Sequence, residues 1–88
     1  MLMNNYVCHL PPISYFDFKI AYYKEFPNSS YRLGQAFINC FIKKEDQRTE
    51  FLFLWEEKNV NVAENLIFGL IRDWNWDMMA LVPVRKSL

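Results

Sequence analysis

The segment from Asn61 to Trp74 most constrains the fold, because its apolar residues recur at intervals of three and four. This spacing puts them on one side of an α-helix, and that side must pack against other parts of the chain. Asn61 is the predicted N-cap, and Glu64 three residues later fits a capping box. At 88 residues the chain is long enough for one core only, so residues 1–88 are predicted to form a single helical domain. The stripe comprises Ala63, Leu66, Ile67, Leu70, Ile71 and Trp74.

Two further helices are predicted upstream. The first should begin after a Ser14 cap, run from Tyr15 to Phe26 and end at Pro27, since the residue before a proline avoids helical geometry. The second should run from Tyr31 to Lys43, with the Ser29-Ser30 pair supplying its cap. The apolar face of the first helix comprises Tyr15, Phe18, Tyr22 and Phe26.

The segment 50–57 contains five consecutive apolar residues, FLFLW, which fit a buried strand as well as a short helix. A strand needs a partner, and both available segments are short and carry or adjoin proline, so a short helix is favoured. Pro83 argues against a further helix at the end of the chain. The predicted fold is therefore all-α: a compact three- to four-helix domain with an irregular N-terminal leader and a C-terminal tail packed back.

Charge and apolar run length bear on partners and location. Ten basic and ten acidic residues cancel, so the strong positive field typical of nucleic-acid binding is missing, and such binding is disfavoured. The longest apolar runs are far shorter than the roughly 18 residues of a membrane span. No signal-peptide pattern is recognisable at the N-terminus, so we expect no membrane association and a cytoplasmic location.

The inventory of reactive residues is small. His9 is the only histidine, and the adjacent Cys8 is not spaced to share a metal with it. The only glycines, Gly34 and Gly69, belong to no phosphate-binding loop, and no nucleophile motif is present. We therefore predict that the protein is not an enzyme and that it has no catalytic residues, metal or cofactor.

Helix two separates into two faces. Arg32, Gln35 and Asn39 align as a polar stripe, whereas Gly34 lies on the apolar face. A glycine within a helix costs about 1 kcal/mol relative to alanine, which suggests that another element crosses close to Gly34. No packing reason is evident for Gly69. The polar stripe has two interpretations: it binds a partner, or it is solvated or holds a neighbouring loop by hydrogen bonds.

Two tryptophans follow helix four. An aromatic content of 18% exceeds what so small a domain can bury, so part of it should meet a partner. Trp74 and Trp76 are bracketed by acids and either form a binding patch or anchor the tail. The predicted partner-binding residues are Arg32, Gln35, Asn39, Trp74 and Trp76.

The string R-x-G-Q-A-F-x-N at positions 32–39, preceded by FDFKIAYYKEFP, resembles short uncharacterised proteins of bacteriophages and prophages. The resemblance covers about residues 16–41 and implies a small cytoplasmic accessory protein of a mobile element, with no reaction attached. Binding to a host or phage protein is the expected function, with inhibition of a host process or defence system, in the manner of an anti-CRISPR protein, as a hypothesis. The alternative is a small helical DNA-binding regulator that reads with helix two. Homodimerisation is a second explanation for exposed aromatic side chains.

Overall fold

A computed structural model describes residues 12–27, 30–43 and 45–84. These residues contain four helices and no strands, so the predicted all-α fold is confirmed. The expectations for the leader up to residue 11, including those for Cys8 and His9, lie outside the described residues. The helices are α1 (Tyr15–Glu25), α2 (Leu33–Phe41), α3 (Thr49–Glu56) and α4 (Val60–Asp73).

Helix α1 follows the prediction closely. The Ser14 hydroxyl accepts a hydrogen bond from the Asp17 amide at 3.0 Å, which satisfies one of the amides left open at a helix start. The predicted face, Tyr15, Phe18, Tyr22 and Phe26, is buried throughout. These aromatic rings form one wall of the core.

Helix α2 is shorter at both ends than predicted. Arg32 has extended backbone angles, φ −82° and ψ 155°, and occupies the N-cap position that the serines were expected to fill. Tyr31 stays outside the helix, where its carbonyl accepts a hydrogen bond from the Tyr22 hydroxyl. Ile42 is extended as well, so the helix ends at Phe41. The start of α2 is thus held by this tertiary contact together with a local cap, in which the Gln35 side-chain oxygen accepts a hydrogen bond from the Arg32 amide.

Helix α3 comes from the ambiguous segment, and the favoured helical interpretation is confirmed. It buries Phe51 and Leu54 and crosses α2 directly over Gly34. A Cβ atom on Gly34 would lie 2.3 Å from the backbone oxygen of Leu54 and 2.9 Å from its side chain. The predicted close approach at Gly34 is therefore confirmed.

Helix α4 begins earlier than predicted. Asn59, not Asn61, is the N-cap, and its side-chain oxygen accepts hydrogen bonds from the amides of Asn61 and Val62 at 2.9 and 3.3 Å. The predicted capping box with Glu64 is therefore wrong. Leu66 was assigned to the core but is 37% exposed, because it lies at the edge of the stripe. The rest of the stripe packs inward, with Trp74 only partly buried.

The C-terminal tail packs back on the helices, as predicted. Leu81 and Ile13 exchange two backbone hydrogen bonds of 2.8 Å in an antiparallel bridge. The Val84 amide donates to the carbonyl of Cys40 at 2.6 Å. The tail thus ties the start of α1 to the end of α2.

Candidate protein-interaction site

The end of α4 positions the two tryptophans. Asn75 has a positive φ of 55°, and the amide of Trp76 donates to the carbonyl of Ile71 at 2.9 Å. The Asn75 amide donates to the carbonyl of Arg72 at 3.2 Å. This is a Schellman motif, in which asparagine tolerates the left-handed position better than most residues do. The motif turns the chain sharply, so that Trp74 and Trp76 lie together rather than along a helix.

Trp74 is held by contacts on several sides. Its ring centroid is 5.2 Å from that of Phe51 and 5.2 Å from that of Trp76. The Arg48 guanidinium lies over the ring, 4.3 Å from the centroid, at a distance typical of a cation–π contact. Arg48 also pairs with Asp46, at 3.3 Å. Trp74 therefore anchors the α3 side of the domain, a contact that the sequence did not predict.

Trp76 combines a core contact with an open surface. Its ring centroid is 6.2 Å from that of the fully buried Phe37. Beside it lies a cleft of about 380 Å³, which we call the tryptophan cleft. This volume falls within the range of small binding pockets. The cleft is lined by Phe41, Asn75, Trp76, Asp77, Ala80, Leu81 and Val82.

The rim of the tryptophan cleft is apolar with one negative charge. Val82 is 69% exposed and the nearby Met79 is 65% exposed, both high values for large apolar side chains. One carboxylate oxygen of Asp77 accepts a hydrogen bond from the Met79 amide at 3.0 Å. Among the described residues Asp77 has no ion pair. Such a surface suits an apolar or aromatic side chain that has a basic residue beside it.

Sequence reasoning found the two tryptophans but missed the rest of the cleft. Phe41 falls within predicted helix two, and Leu81 and Val82 fall within the predicted C-terminal tail, but none of the three is among the predicted site residues. The apolar segment VPV follows the tryptophans closely and could have indicated further residues of the cleft. The sequence does not show, however, where the tail returns to the helices. The bridge between Leu81 and Ile13 brings the tail beside Phe41 and Trp76.

The polar stripe of α2 is engaged in intramolecular hydrogen bonds. Arg32 donates from Nη1 to the Trp55 carbonyl at 3.3 Å, near the end of α3. The Gln35 side-chain oxygen accepts from the Arg32 amide at 3.2 Å, and Asn39 donates to the Tyr31 hydroxyl at 2.8 Å. These bonds favour the structural interpretation, in which the stripe holds neighbouring chain in place. A role of these residues in partner binding stays a prediction.

A charged cluster joins α1 to α4 elsewhere on the domain. Lys19 and Glu64 form an ion pair at 3.4 Å, and the Tyr23 hydroxyl donates to Glu64 at 3.2 Å. Burial, followed by this hydrogen bond, raises the pKa of Tyr23 to about 12. The Lys19 ammonium lies 5.1 Å from the ring centroid of Tyr15. No sequence pattern predicts the pairing, because its members are 45 positions apart in the chain.

Replacing Tyr15 with phenylalanine should raise the free energy of unfolding by about 1 kcal/mol. The Tyr15 hydroxyl is buried without a hydrogen-bond partner in the described part of the chain, and an unpaired buried hydroxyl is destabilising. Tyr23→Phe is the control and should bring no gain, since it removes a hydrogen bond to Glu64. Urea unfolding at neutral pH measures both, and a loss of stability in Tyr15→Phe would contradict the expectation.

The same variant should lessen the sensitivity to alkali. Burial, and then the charge of Glu64, raises the pKa of Tyr15 above its ordinary value. Because the pKa is higher in the folded protein than in the unfolded chain, ionisation of Tyr15 leaves the free energy of unfolding unchanged below about pH 10 and lowers it as the pH rises through the folded pKa. Unfolding midpoints measured across this range should fall less steeply for Tyr15→Phe than for wild type.

Comparisons with known proteins leave the site to be interpreted from its geometry. Within the described residues, no group of three or more His, Cys, Asp and Glu side chains is placed to hold a metal ion. None of the helices in that part of the chain has the length and apolar character needed to cross a membrane. No protein-family model, curated protein or solved structure matched the chain.

Proposed function

We propose that this chain is a cytoplasmic accessory protein of a phage or prophage that acts by binding a host or phage protein, without catalysing a reaction. The tryptophan cleft is the observation that carries the proposal. It presents a half-buried indole, the exposed side chain of Val82 and a carboxylate around a pocket of about 380 Å³. Tryptophan in a partly formed pocket is a frequent centre of binding energy in protein interfaces.

The partner surface is a segment with an aromatic or large aliphatic side chain next to lysine or arginine. The apolar side chain enters the cleft between Trp76 and Val82, and the basic side chain faces Asp77. Because the pocket is held by the Schellman motif and by the bridge at Leu81, little order has to be gained on binding, which favours affinity. We propose that binding such a segment of a host protein inhibits a host process or defence system, as an anti-CRISPR protein does.

The DNA-binding alternative has less support. It needs the polar side chains of α2 to face base edges and phosphates. Arg32 and Asn39 instead bond within the domain, to Trp55 and Tyr31. Freeing them for DNA would break both of these hydrogen bonds.

The test compares two valine-to-aspartate variants in affinity capture from host lysate, with quantitative mass spectrometry. Val82→Asp puts a charge on the rim of the cleft, whereas Val62→Asp puts it on the first turn of α4, where an acid is tolerated. A partner of the cleft should be recovered with wild type and Val62→Asp, and at least about tenfold less with Val82→Asp, the change expected from 1.4 kcal/mol. Both valines are exposed, so both variants should fold; circular dichroism verifies this.

The remaining outcomes are also decisive. Equal recovery with both variants, or no recovery with folded wild type, contradicts binding through the cleft. Salt-dependent binding to duplex DNA that weakens in Arg32→Ala would support the regulator instead. For a recovered partner, Gln35→Ala with Asn39→Ala tests the α2 stripe: lost stability makes the stripe structural, and lost binding in a stable protein makes it part of the interface.

A further inference from the structure

Helix α1 is apolar on two faces, although only one faces the core. The core face carries Tyr15, Phe18 and Tyr22, which are 7% exposed or less. The outer face carries Phe16, Ile20 and Tyr23, which are 46%, 64% and 41% exposed. A helix at the surface of a single domain ordinarily shows one apolar stripe and a polar opposite face. The outer face of α1 therefore has the composition of a contact surface.

The apolar residues of the outer face form a continuous stripe, and charged side chains lie along both of its edges. Phe16, Ile20 and Tyr23 stand at positions i, i+4 and i+7, so they form one stripe along the helix. Asp17 and Lys24 are two turns apart on one side of this stripe, and both are exposed. On the other side, Lys19 is already paired with Glu64 of α4. The stripe thus has an acid near its start and a base near its end along one edge.

We infer that two copies of this chain pair through the outer faces of α1, with the two helices antiparallel and the two-fold axis near Ile20. In this arrangement the two Ile20 side chains meet at the centre of the interface, and Phe16 of each copy approaches Tyr23 of the other. Asp17 of each copy then lies beside Lys24 of the other, on the same edge of the interface. A two-fold axis makes each such contact twice.

Charge complementarity selects both the occupant and its direction. In a parallel pair the two-fold axis runs along the helices, so the Asp17 and Lys24 edge of one copy faces the opposite edge of the other, where Lys19 is already paired with Glu64. The antiparallel pair instead sets Asp17 against Lys24 twice, which gives two attractive contacts. The net charge of the chain is zero, so two copies approach without overall repulsion. A second copy therefore satisfies the stripe and its edge charges together.

The size of the surface sets the affinity. Helix α1 has 11 residues and is about 16 Å long, so the pair buries less than the roughly 800 Å² per partner of a standard interface. We therefore expect a reversible dimer with a dissociation constant in the micromolar range or weaker. This inference goes beyond the proposed function and does not depend on it, because the described lining residues of the tryptophan cleft all lie outside α1.

Sedimentation equilibrium over a wide concentration range tests the dimer. Ile20→Asp should weaken association at least tenfold, because it buries a charge at the centre of the interface. Leu52→Asp is the matched control: Leu52 is 59% exposed on α3, and its replacement should leave association unchanged. A wild type that stays monomeric at millimolar concentration overturns the inference, as does a dimer that Ile20→Asp leaves intact or Leu52→Asp abolishes.

A charge swap tests the antiparallel geometry. Lys24→Asp alone should weaken association, since it puts two acids together at each edge contact. Adding Asp17→Lys restores opposite charges and should recover much of the lost affinity in the antiparallel arrangement. Failure of the double variant to recover, with both variants folded by circular dichroism, contradicts the proposed direction of pairing.

Discussion

Phe37→Ala is expected to lower the free energy of unfolding by about 3–5 kcal/mol, the range for removing a buried phenylalanine ring. Phe37 is fully buried, and its ring contacts those of Phe18, Phe41 and Trp76 at centroid distances of 6.0, 5.0 and 6.2 Å. The substitution removes the transfer free energy of the ring and leaves a cavity that the rigid aromatic neighbours fill poorly. For a domain of this size, whose total stability is about 4–13 kcal/mol, the loss is a large fraction.

Urea unfolding monitored by circular dichroism measures this loss. Phe53→Ala is the matched control, because the same side chain is removed at a position that is 66% exposed, and its effect should stay within about 0.5 kcal/mol. Similar values for the two variants would show that Phe37 is not central to the core. Phe37→Ala should also broaden the signals of Trp76 in NMR spectra, since the indole rests against Phe37.

Gly34→Ala is expected to lower stability by about 1–2 kcal/mol, even though alanine is the better helix former. The added Cβ would lie 2.3 Å from the Leu54 carbonyl oxygen, which is backbone and cannot rotate away. The α2–α3 crossing must therefore open, and overpacking of this kind typically costs about 1–3 kcal/mol, occasionally more. The helix-propensity gain of up to about 1 kcal/mol offsets only part of the clash.

The control is the same substitution at the other glycine. At Gly69 the nearest described heavy atom beyond the local helix backbone is the Nη2 atom of Arg72, 3.8 Å from an added Cβ, so there is room for a methyl group. Gly69→Ala should raise stability by about 0.5–1 kcal/mol. Thermal and urea unfolding of the two variants should therefore give changes of opposite sign. A gain in both would mean that α2 and α3 separate more readily than their close contact implies.

Local patterns predicted the elements better than their ends. The Ser14 cap and Pro27 marked α1 well, because both act through bonds and steric contacts within a few residues. The start of α2 was predicted wrongly, since the Tyr22 hydroxyl and the Trp55 carbonyl hold Tyr31 and Arg32 outside the helix. Asn59 and Asn61 are equally good N-caps by residue type. Choosing between them required the tertiary packing that sets the phase of α4.

The candidate site divides in a similar way. Trp74 and Trp76 were identified from the sequence, as large aromatic side chains that a small domain cannot bury completely. Their cleft was not, because it forms only when the tail returns to bridge Ile13 and comes beside Phe41. Helical spacing predicted the polar stripe of α2, but Arg32 lies outside the helix at its N-cap. The hydrogen bonds from the stripe to Trp55 and Tyr31 could not be predicted from helical spacing, because both partners lie outside α2.

By itself the sequence determined the all-α class, the core faces of α1 and α4, and the need for a close approach at Gly34, because helical periodicity and residue volume act locally. Only the tertiary structure decided that α3 is the helix crossing Gly34, that the tail completes the tryptophan cleft and that the second apolar face of α1 stays exposed. Each of these depends on how elements distant in the chain meet, and the energies that select among such arrangements come from packing and long-range hydrogen bonds rather than from local propensity.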